Sequence, residues 1–195
     1  MITQSQAKEL IDLARQSIRD FFENKKTSIS DKIKKDFGKK QGAFVSVYVK
    51  DELNGCIGYP LPIKPLYEAV VEMAKFAAFE DPRFPPLLRS QMKDLRIEIS
   101  VLTVPEEIKV KKAEEYQKKF KVGEDGLIVH DEFGGSGLLL PQVAVEWKWN
   151  EEEFLNQTCV KAGLNPDCWK DLRHKVYKFK AQVFTEKNGK VVKKQ

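Results

Sequence analysis

Apolar and polar residues alternate along this chain with two periods, one near 3.6 residues and one of 2. The helical period is clearest at the start, where Thr3 and Gln6 form a capping box and apolar positions follow at helical spacing. It returns after Pro65, which suits the first position of a helix because its missing N–H costs nothing there. The pattern therefore predicts an amphipathic helix over residues 4–23 and a largely buried helix that begins at Pro65.

The period of two predicts strands over residues 43–50, 95–103 and 177–183. In the second of these, Arg96, Glu98 and Ser100 separate apolar residues. We expect one buried face and one face in water, as in an antiparallel sheet. A turn is predicted at residues 51–52, which makes the following segment the return strand of a hairpin.

Between these elements the chain is rich in polar residues, glycine and proline. Residues 24–41 are predicted to form a long lysine-rich loop, and three prolines in residues 82–86 predict a rigid crossover. The glycines of residues 134–137 predict a hairpin turn rather than a phosphate loop, because no Lys-Ser/Thr follows them. Asn150 with Glu153 predicts a second capped helix, and a loose tail is expected from residue 187.

With 195 residues, of which 42% are hydrophobic, the chain suffices for one large domain or two closely packed subdomains. Three cysteines are an odd number, and the first residues show no basic-then-apolar leader. These features predict free thiols and a cytoplasmic location. No apolar stretch approaches the roughly 20 residues that cross a bilayer, so no membrane partner is expected. Cys159 falls on the apolar face of its helix, where a core position is predicted.

The net charge of +5 is unevenly distributed. Residues 170–195 hold nine Lys or Arg against two Asp or Glu, which is +7 and leaves −2 for residues 1–169. Residues 25–40 have seven lysines against two aspartates. Such stretches form either a nucleic-acid footprint or a solvated face with a frayed tail. Because few aromatics interleave and arginines are scarce, tight binding of nucleic acid is not expected.

The chain is organised around the segment Leu53-Asn54-Gly55-Cys56-Ile57-Gly58-Tyr59-Pro60. Two glycines let backbone and ligand approach the thiol closely, and Gly58 can take a positive φ at a turn. A return loop could bring Cys56 near the N-terminus of the following helix, a position that would stabilise a thiolate. The alternative is a strand end with a buried cysteine, since free cysteine is among the most buried residue types.

A nucleophilic thiol needs a base within hydrogen-bond reach, and the chain has two histidines. His130 precedes a glycine-rich turn and has acidic neighbours, so Cys56 and His130 are the predicted catalytic residues. The alternative is that His130 is an exposed turn histidine. No short ligand spacing connects Cys56, His130 and Asp131, so neither a metal site nor a cofactor is predicted. The predicted ligand-binding residues are Asn54, Gly55, Gly58, Asp81 and Arg83. Within this set, Asp81 and Arg83 either contact a ligand or pair with each other.

Several segments together resemble the AMMECR domain family, which has members in archaea, bacteria and eukaryotes. The resemblance runs from about residue 7 to residue 186. Besides the cysteine segment, it is carried by Gly42-Ala43-Phe44-Val45, Asp81-Pro82-Arg83-Phe84, Glu98-Ile99-Ser100-Val101-Leu102, Leu138-Leu139-Leu140-Pro141-Gln142-Val143-Ala144, Glu153-Phe154-Leu155 and Lys161-Ala162-Gly163-Leu164. The family's signature reads Leu-Arg-Gly-Cys-Ile-Gly, and its arginine is Asn54 here. That departure removes the one cation next to the thiol.

The resemblance implies an α+β fold, an antiparallel sheet flanked by helices, in two subdomains with a cleft between them. The larger subdomain would comprise about residues 1–104 and 148–195, and the smaller, inserted one about residues 105–147. Members of the family occur beside, or fused to, Memo-type domains and radical S-adenosylmethionine enzymes. Those proteins are therefore the expected partners in a shared modification pathway.

Three functions are compatible with these features. The first is a cleft-based enzyme or enzyme component in which Cys56 is the nucleophile or a thiol carrier. The second is a non-catalytic module that recognises protein or RNA, which the loss of the cation at Asn54 favours. The third is a structural subunit of a Memo-associated assembly.

Overall fold

The computed structural model describes residues 1–132 and 134–194, and it divides the chain into two compact units. The first unit comprises Met1–Leu102 and the residues from Gln182 onwards, and the second comprises Thr103–Ala181. The boundary expected at residues 147 and 148 lies inside the second unit. The reason is that residues on both sides of it share one hydrophobic core, which includes Tyr116, Phe120, Leu127, Phe154, Leu155 and Trp169.

The elements are those of an α+β protein. The helices of the described residues are α1 (Gln4–Phe22), α2 (Asp31–Asp36), α3 (Leu66–Phe79), α4 (Pro141–Glu146) and α5 (Glu151–Lys161). The strands of the same residues are β1 (Ala43–Val49), β2 (Glu52–Tyr59), β3 (Leu95–Leu102), β4 (Glu106–Glu107), β5 (Asp125–His130), β6 (Ser136–Leu139), β7 (Lys175–Lys187) and β8 (Lys190–Lys193). Short 3₁₀ helices span Arg89–Asp94, Ala113–Lys118 and Cys168–Lys170.

In the first unit, α1 and α3 pack against one face of an antiparallel sheet. Its strand order is β2, β1, β3, then the last part of β7, with β8 paired to β7. The amphipathic helix α1 is confirmed together with its capping box, in which Thr3 accepts from the Gln6 backbone N–H. Alternate residues of β1 and β3 point towards the two helices and form the core, among them Val45, Val47, Ile97 and Ile99.

The second face of β1 and β3 is buried over part of its length, which differs from the prediction. Ser46, Glu98 and Ser100 occupy the polar positions of the alternating pattern, and each exposes less than a tenth of its surface. Alternation showed which residues share a face, but it could not show that the polar face is covered. The expected face in water is therefore wrong for β3.

Two tight turns set the ends of the first unit's hairpins. Lys50 and Asp51 join β1 to β2 with φ of 49° and 66°, one residue earlier than predicted. Asn188 and Gly189 join β7 to β8, again both at positive φ. Two-residue turns of this type match the right-handed twist of paired strands. The loose tail expected from residue 187 is therefore wrong for β8, while Gln195 lies outside the described residues.

The lysine-rich segment 24–41, predicted as a loop, contains helix α2. Ser30 caps this helix by accepting a hydrogen bond from the Ile33 backbone N–H, and Phe37 follows it into the core. One cap and one buried aromatic residue thus order a segment whose composition is polar.

In the second unit, β4 and β5 flank the first part of β7, and β6 pairs with β5. A hairpin joins β5 to β6 as predicted, but Ser136 and Gly137, which were predicted in its turn, belong to β6 and pair with His130 and Val129. The Asn150–Glu153 capping box of α5 is confirmed. Gly163 follows α5 with φ of 78°, the left-handed conformation typical of a helix end. No helix in the described part of the chain has the length and apolar character needed to cross a bilayer.

The expectation of three free thiols is wrong. Cys159 on α5 and Cys168 in the 3₁₀ helix Cys168–Lys170 form a disulfide, with Cα atoms 6.0 Å apart. Both cysteines are buried, as predicted for Cys159. The sequence could not reveal the bond, because the two cysteines are nine positions apart and only the turn after α5 brings them together. Cys56 is the free cysteine.

Candidate functional site

Cys56 lies in the middle of β2 and is half-buried. It is paired across the strands with Ser46 of β1, so the two side chains share the face of the sheet that points away from α1 and α3. The Ser46 hydroxyl donates a hydrogen bond to Cys56 Sγ over 3.2 Å. The thiol is therefore neither a strand end nor a fully buried core group.

The backbone of Cys56 is held on both sides by the loop that follows α3. The Cys56 N–H donates to Asp81 Oδ2 over 2.9 Å, and Arg83 Nη2 donates to the Cys56 carbonyl oxygen over 2.8 Å. Arg83 also pairs with Asp81 through Nη2, Nε and its backbone N–H. The pairing of Asp81 with Arg83, one of the two predicted alternatives, is what the structure shows. It fixes the strand that carries the thiol.

The charge of Asp81 is stabilised although its side chain is almost fully buried. Hydrogen bonds from the Arg83 guanidinium hold the pKa of Asp81 well below its ordinary value, and the Cys56 and Arg83 backbone N–H groups lower it further. Burial opposes these effects but does not outweigh them. Asp81 is therefore a carboxylate at neutral pH, and this anion accepts the Cys56 N–H.

Gly55 and Gly58 are needed for close packing, not for backbone conformation. Neither has a positive φ, so the freedom of glycine to adopt one is not used at either position. Gly55 faces the backbone of α3 at Ala77, and Gly58 faces the Phe44 ring. Ala77 belongs to the last turn of α3. Gly55, the residue before Cys56, therefore packs on the C-terminal end of that helix. The helix N-terminus that a return loop could have brought beside the thiol does not occupy this place.

A row of three polar side chains, called here the polar row, crosses β2, β1 and β3 and consists of Cys56, Ser46 and Glu98. Ser46 is paired with Cys56 on one side and with Glu98 of β3 on the other, so the three side chains lie on one face in the order thiol, hydroxyl, carboxylate. Glu98 is 7% exposed. Lys194 Nζ, from the residue after β8, lies 2.7 Å from Glu98 Oε2.

Tyr48 and Arg96 form the neighbouring pair of this face. They are paired across β1 and β3, and the Arg96 guanidinium lies 3.9 Å from the centre of the Tyr48 ring. Burial raises the pKa of Tyr48, and the Glu98 carboxylate raises it further, while Lys194 and Arg96 act in the opposite direction. Tyr48 therefore keeps its proton at neutral pH and can donate a hydrogen bond near the row.

Asn54 is the extra residue of a β-bulge. Val47 is paired with Gly55 and Tyr48 with Leu53, which leaves Asn54 without a partner in the ladder. Its side-chain amide donates to the Pro85 carbonyl oxygen over 3.3 Å. Asn54 also lines a cavity of about 510 Å³, together with Lys50, Ser90 and Lys93. This cavity is where a ligand that contacts Asn54 would sit.

His130 lies at the end of β5 in the second unit, whereas Cys56 belongs to the first unit. Its ring packs edge-to-face on Tyr177 with centroids 5.5 Å apart, and it is half-buried. Its acidic neighbour Asp131 faces the other histidine, with Asp131 Oδ1 3.4 Å from His174 Nδ1. Of the two acidic neighbours that favoured His130 in the sequence, Asp131 thus lies beside His174 instead.

The sequence did not single out Ser46, Glu98, Tyr48 or Lys194. Its one signal was a polar residue at every second position of two apolar strands. Reading that signal required the strand register, which neither composition nor periodicity supplies. Across residues 1–132 and 134–194, no three His, Cys, Asp or Glu side chains converge as metal ligands.

Comparison with known proteins gives consistent results. A model of the family described as AMMECR1 matches residues 11–184. A protein of Methanothermobacter thermautotrophicus is 44% identical over 186 residues, 95% of this chain and 96% of that protein. A protein of Thermococcus onnurineus is 49% identical over 187 residues, 93% and 90% of the two chains. The crystal structure of an uncharacterized protein from Pyrococcus horikoshii is similar with a TM-score of 0.88 and 45% identity, covering 99% and 98% of the two chains.

Proposed function

Because this chain belongs to the AMMECR1 family, we propose that its function lies in the family's cysteine segment and that it is an enzyme, or enzyme component, with Cys56 as nucleophile or thiol carrier. The observation that carries this proposal is the fixed, half-buried free thiol. Its backbone is held by Asp81 and Arg83, and its sulfur accepts a hydrogen bond from Ser46. Preorganised groups of this kind are what covalent catalysis requires.

The arrangement supports attack by sulfur on an electrophilic carbon. The half-buried Cys56 thiol first gives its proton to solvent water, and the thiolate then forms a bond to carbon as the leaving group departs with the bonding electron pair. Ser46 stabilises the thiolate by donating to it, and Tyr48 is a neutral donor for an oxygen that becomes negative. The group carried by sulfur is then released to a second nucleophile, which restores the thiol.

We further propose that the reaction belongs to the modification pathway of Memo-type and radical S-adenosylmethionine proteins and takes place in the cytoplasm. The disulfide does not argue against that location, because intracellular proteins of hyperthermophilic archaea are often rich in disulfides. Relatives of the chain come from archaea such as Thermococcus onnurineus and Pyrococcus furiosus.

The test is to trap the acceptor thiol. The native, unreduced protein is incubated with a small panel of acyl and alkyl electrophiles, and the adduct is located by peptide mass spectrometry. We expect Cys56 to carry the adduct in the folded protein, and Cys56→Ser to carry none. Labelling of Cys56 only after unfolding would remove the proposed nucleophile and sink the proposal.

A second candidate function, a module that binds a protein or RNA partner, is favoured by an aromatic pair in the second unit. Trp147 is 68% exposed and stacks on Trp149 with ring centroids 6.0 Å apart, and Val145 beside it is also exposed. Exposed tryptophan is typical of binding hot spots and of base stacking. The two classes of partner differ in their dependence on salt.

Trp147→Ala tests this second function. Binding of a single-stranded oligonucleotide is measured at several salt concentrations for the wild type and the variant. We expect only weak, salt-sensitive binding, since the basic residues lack interleaved aromatics. Submicromolar affinity at physiological salt that is lost in Trp147→Ala would replace thiol chemistry with RNA recognition as the better proposal.

A further inference from the structure

The guanidinium of Arg83 keeps donors for a ligand after it has paired with the protein. A guanidinium carries five N–H groups in a rigid, planar arrangement. In Arg83, Nε and Nη2 each donate to an oxygen of Asp81, and Nη2 also donates to the Cys56 carbonyl oxygen, so three of the five are used. Within the part of the chain that the structure describes, Nη1 donates to no acceptor. The Arg83 side chain is 60% exposed, which leaves Nη1 open to a ligand.

The fold holds this guanidinium in one orientation. Asp81 binds it through two nitrogens and is itself almost fully buried, and the guanidinium carbon lies 5.4 Å from the centre of the Phe84 ring. Ordering a long, exposed side chain on binding normally costs free energy. In Arg83 most of that cost is met by contacts within the fold, so Nη1 is a preorganised donor.

The guanidinium also lies close to the sulfur of Cys56. Nη2 binds the Cys56 carbonyl oxygen, and only the bonds O–C, C–Cα, Cα–Cβ and Cβ–Sγ separate that oxygen from the sulfur. Hydrogen bonding to Asp81 raises the pKa of Arg83, burial opposes this effect, and the charges of Asp81 and Cys56 raise it further. The sulfur is therefore within electrostatic range of the guanidinium, and a group bound to Nη1 lies near the thiol.

We propose that Arg83 binds a carboxylate of the substrate, so that Cys56 acts on electrophiles that carry a singly charged anionic group close to the reacting carbon. This inference rests on the proposed function, since it takes Cys56 as the nucleophile. Arg83 and Asp81 together have no net charge. The free donors therefore suit a monoanion, whereas the Asp81 carboxylate repels a dianion more strongly. Arg83 thus fixes the strand of the thiol and orients the substrate.

Alkylation of Cys56 by iodoacetate and by iodoacetamide provides the test. The two reagents have the same leaving group and nearly the same shape, but iodoacetate carries a carboxylate. In both reactions a bond forms from sulfur to carbon as iodide departs with the bonding electron pair. Because both reagents consume the same thiolate, the ratio of their rates does not depend on the thiol pKa. Intact mass spectrometry of the unreduced full chain measures this ratio, in the folded protein and in the chain unfolded by urea.

We expect the ratio of the iodoacetate rate to the iodoacetamide rate to be about threefold higher in the folded wild type than in the unfolded chain, as is typical of an exposed charge-assisted contact. Arg83→Gln should lower the ratio to the value of the unfolded chain. Arg83→Met, which keeps an aliphatic stem over Phe84, is a second variant with the same expected result. Melting temperatures identify any variant that does not fold.

Arg89→Gln is the matched control, because it changes the net charge of the protein equally. Arg89 is exposed and pairs with Glu23, away from the thiol. This variant should keep the ratio of the wild type.

An equal ratio in the folded and the unfolded wild type would overturn the assignment of Arg83, and this result needs no variant. A raised ratio that persists in Arg83→Gln or Arg83→Met would also overturn it, because other cations would then attract the reagent. Equal losses in Arg83→Gln and Arg89→Gln would do the same, since net charge alone would explain them. In each of these cases Cys56 still reacts, and the proposed function stands. If Cys56 of the folded wild type reacts with neither reagent, both proposals are overturned together.

Discussion

Gly55 and Ala77 approach so closely that a Cβ atom built on Gly55 would lie 1.8 Å from the Ala77 carbonyl oxygen. That oxygen belongs to the backbone of α3 and cannot rotate away. We predict that Gly55→Ala destabilises the fold by about 3 kcal/mol, near the upper end of the cost of overpacking. Gly58→Ala should cost less, about 2 kcal/mol, since an added Cβ would meet the Phe44 ring at 2.3 Å and the Ala43 carbonyl oxygen at 2.5 Å, a less severe overlap than at Gly55.

Gly189→Ala is the control for this pair, because Gly189 has a φ of 72° and no atom within 4 Å of an added Cβ. Its cost is conformational and is expected near 1 kcal/mol. Urea unfolding of the three variants measures the decrease in the free energy of unfolding for each and so tests the predicted order. An unchanged midpoint for Gly55→Ala would show that β2 can move away from α3.

The Asp81 carboxylate gives a prediction about pH. The pKa of Asp81 in the folded protein lies below its ordinary value of 3.8, so its contribution to stability is complete above that value and is lost as the pH falls through the folded-state pKa. Asp81→Asn should lower the free energy of unfolding by about 2 kcal/mol at pH 7, because a buried, charge-assisted hydrogen-bond network is broken. The difference between variant and wild type should shrink below pH 4.

The second unit contains a matched control for Asp81. Asp171 pairs with Arg173 in the same two-residue spacing, and hydrogen bonds from Arg173 lower the pKa of Asp171 to about 2. This pair is exposed, and Asp171 does not accept a hydrogen bond from the backbone of a β-strand as Asp81 does. Asp171→Asn should therefore leave the free energy of unfolding nearly unchanged. Urea titrations between pH 3 and pH 7 compare the two variants. If Asp81→Asn and Asp171→Asn lowered the free energy of unfolding equally, the hydrogen bond from the Cys56 N–H to Asp81 would add nothing to the stability of the first unit.

The disulfide predicts a thiol count and a change in stability. In denaturant without reductant, iodoacetamide should add one group to the chain, on Cys56, and after reduction it should add three. Reduction should destabilise the second unit by about 2.5 kcal/mol, the entropy expected for a loop of this length. Cys56→Ser should accept no label without reductant. Three labels without reductant would show that Cys159 and Cys168 are free.

Asn54→Arg restores the cation of the family signature. Since residue 54 lies two residues before Cys56 in β2, at the bulge and next to the loop of Arg83, we expect the guanidinium to stabilise a thiolate at Cys56. The rate of alkylation at neutral pH should rise about threefold. Asn54→Gln, which lengthens the side chain without charge, should react as the wild type. A faster reaction of Asn54→Gln would instead point to improved access to the sulfur.

The parts of the fold that depend on local patterns could be predicted from the sequence. The capping boxes at Thr3 and Asn150, the helix after Pro65 and the hairpin turn near Gly135 depend on residues close together in the chain. The turn at Asn188-Gly189 carried an equally local signal, because this dipeptide is a strong hairpin former, but the lysines around it suggested a tail.

The candidate site could be predicted only in part. Cys56, Asp81 and Arg83 were identified from their segments, and the structure places all three in contact. Glu98 and Ser46 could not be assigned to the site, because that needs the register of β1 against β2 and β3, which is set by long-range packing. The importance of Gly55 could not be predicted either, since it comes from close packing against Ala77, 22 residues further along the chain.

The first unit is assembled from both ends of the sequence, which has a consequence for synthesis on the ribosome. Its core includes Phe184 and Val191, and the Ile2 backbone N–H donates to the Gln182 side chain. The roughly 80 residues of the second unit are translated between these parts, which takes on the order of 4–16 s at ordinary rates of synthesis. The second unit is continuous and can fold as soon as it emerges. The cysteine strand, although translated early, gains its complete sheet only when β8 has left the ribosome.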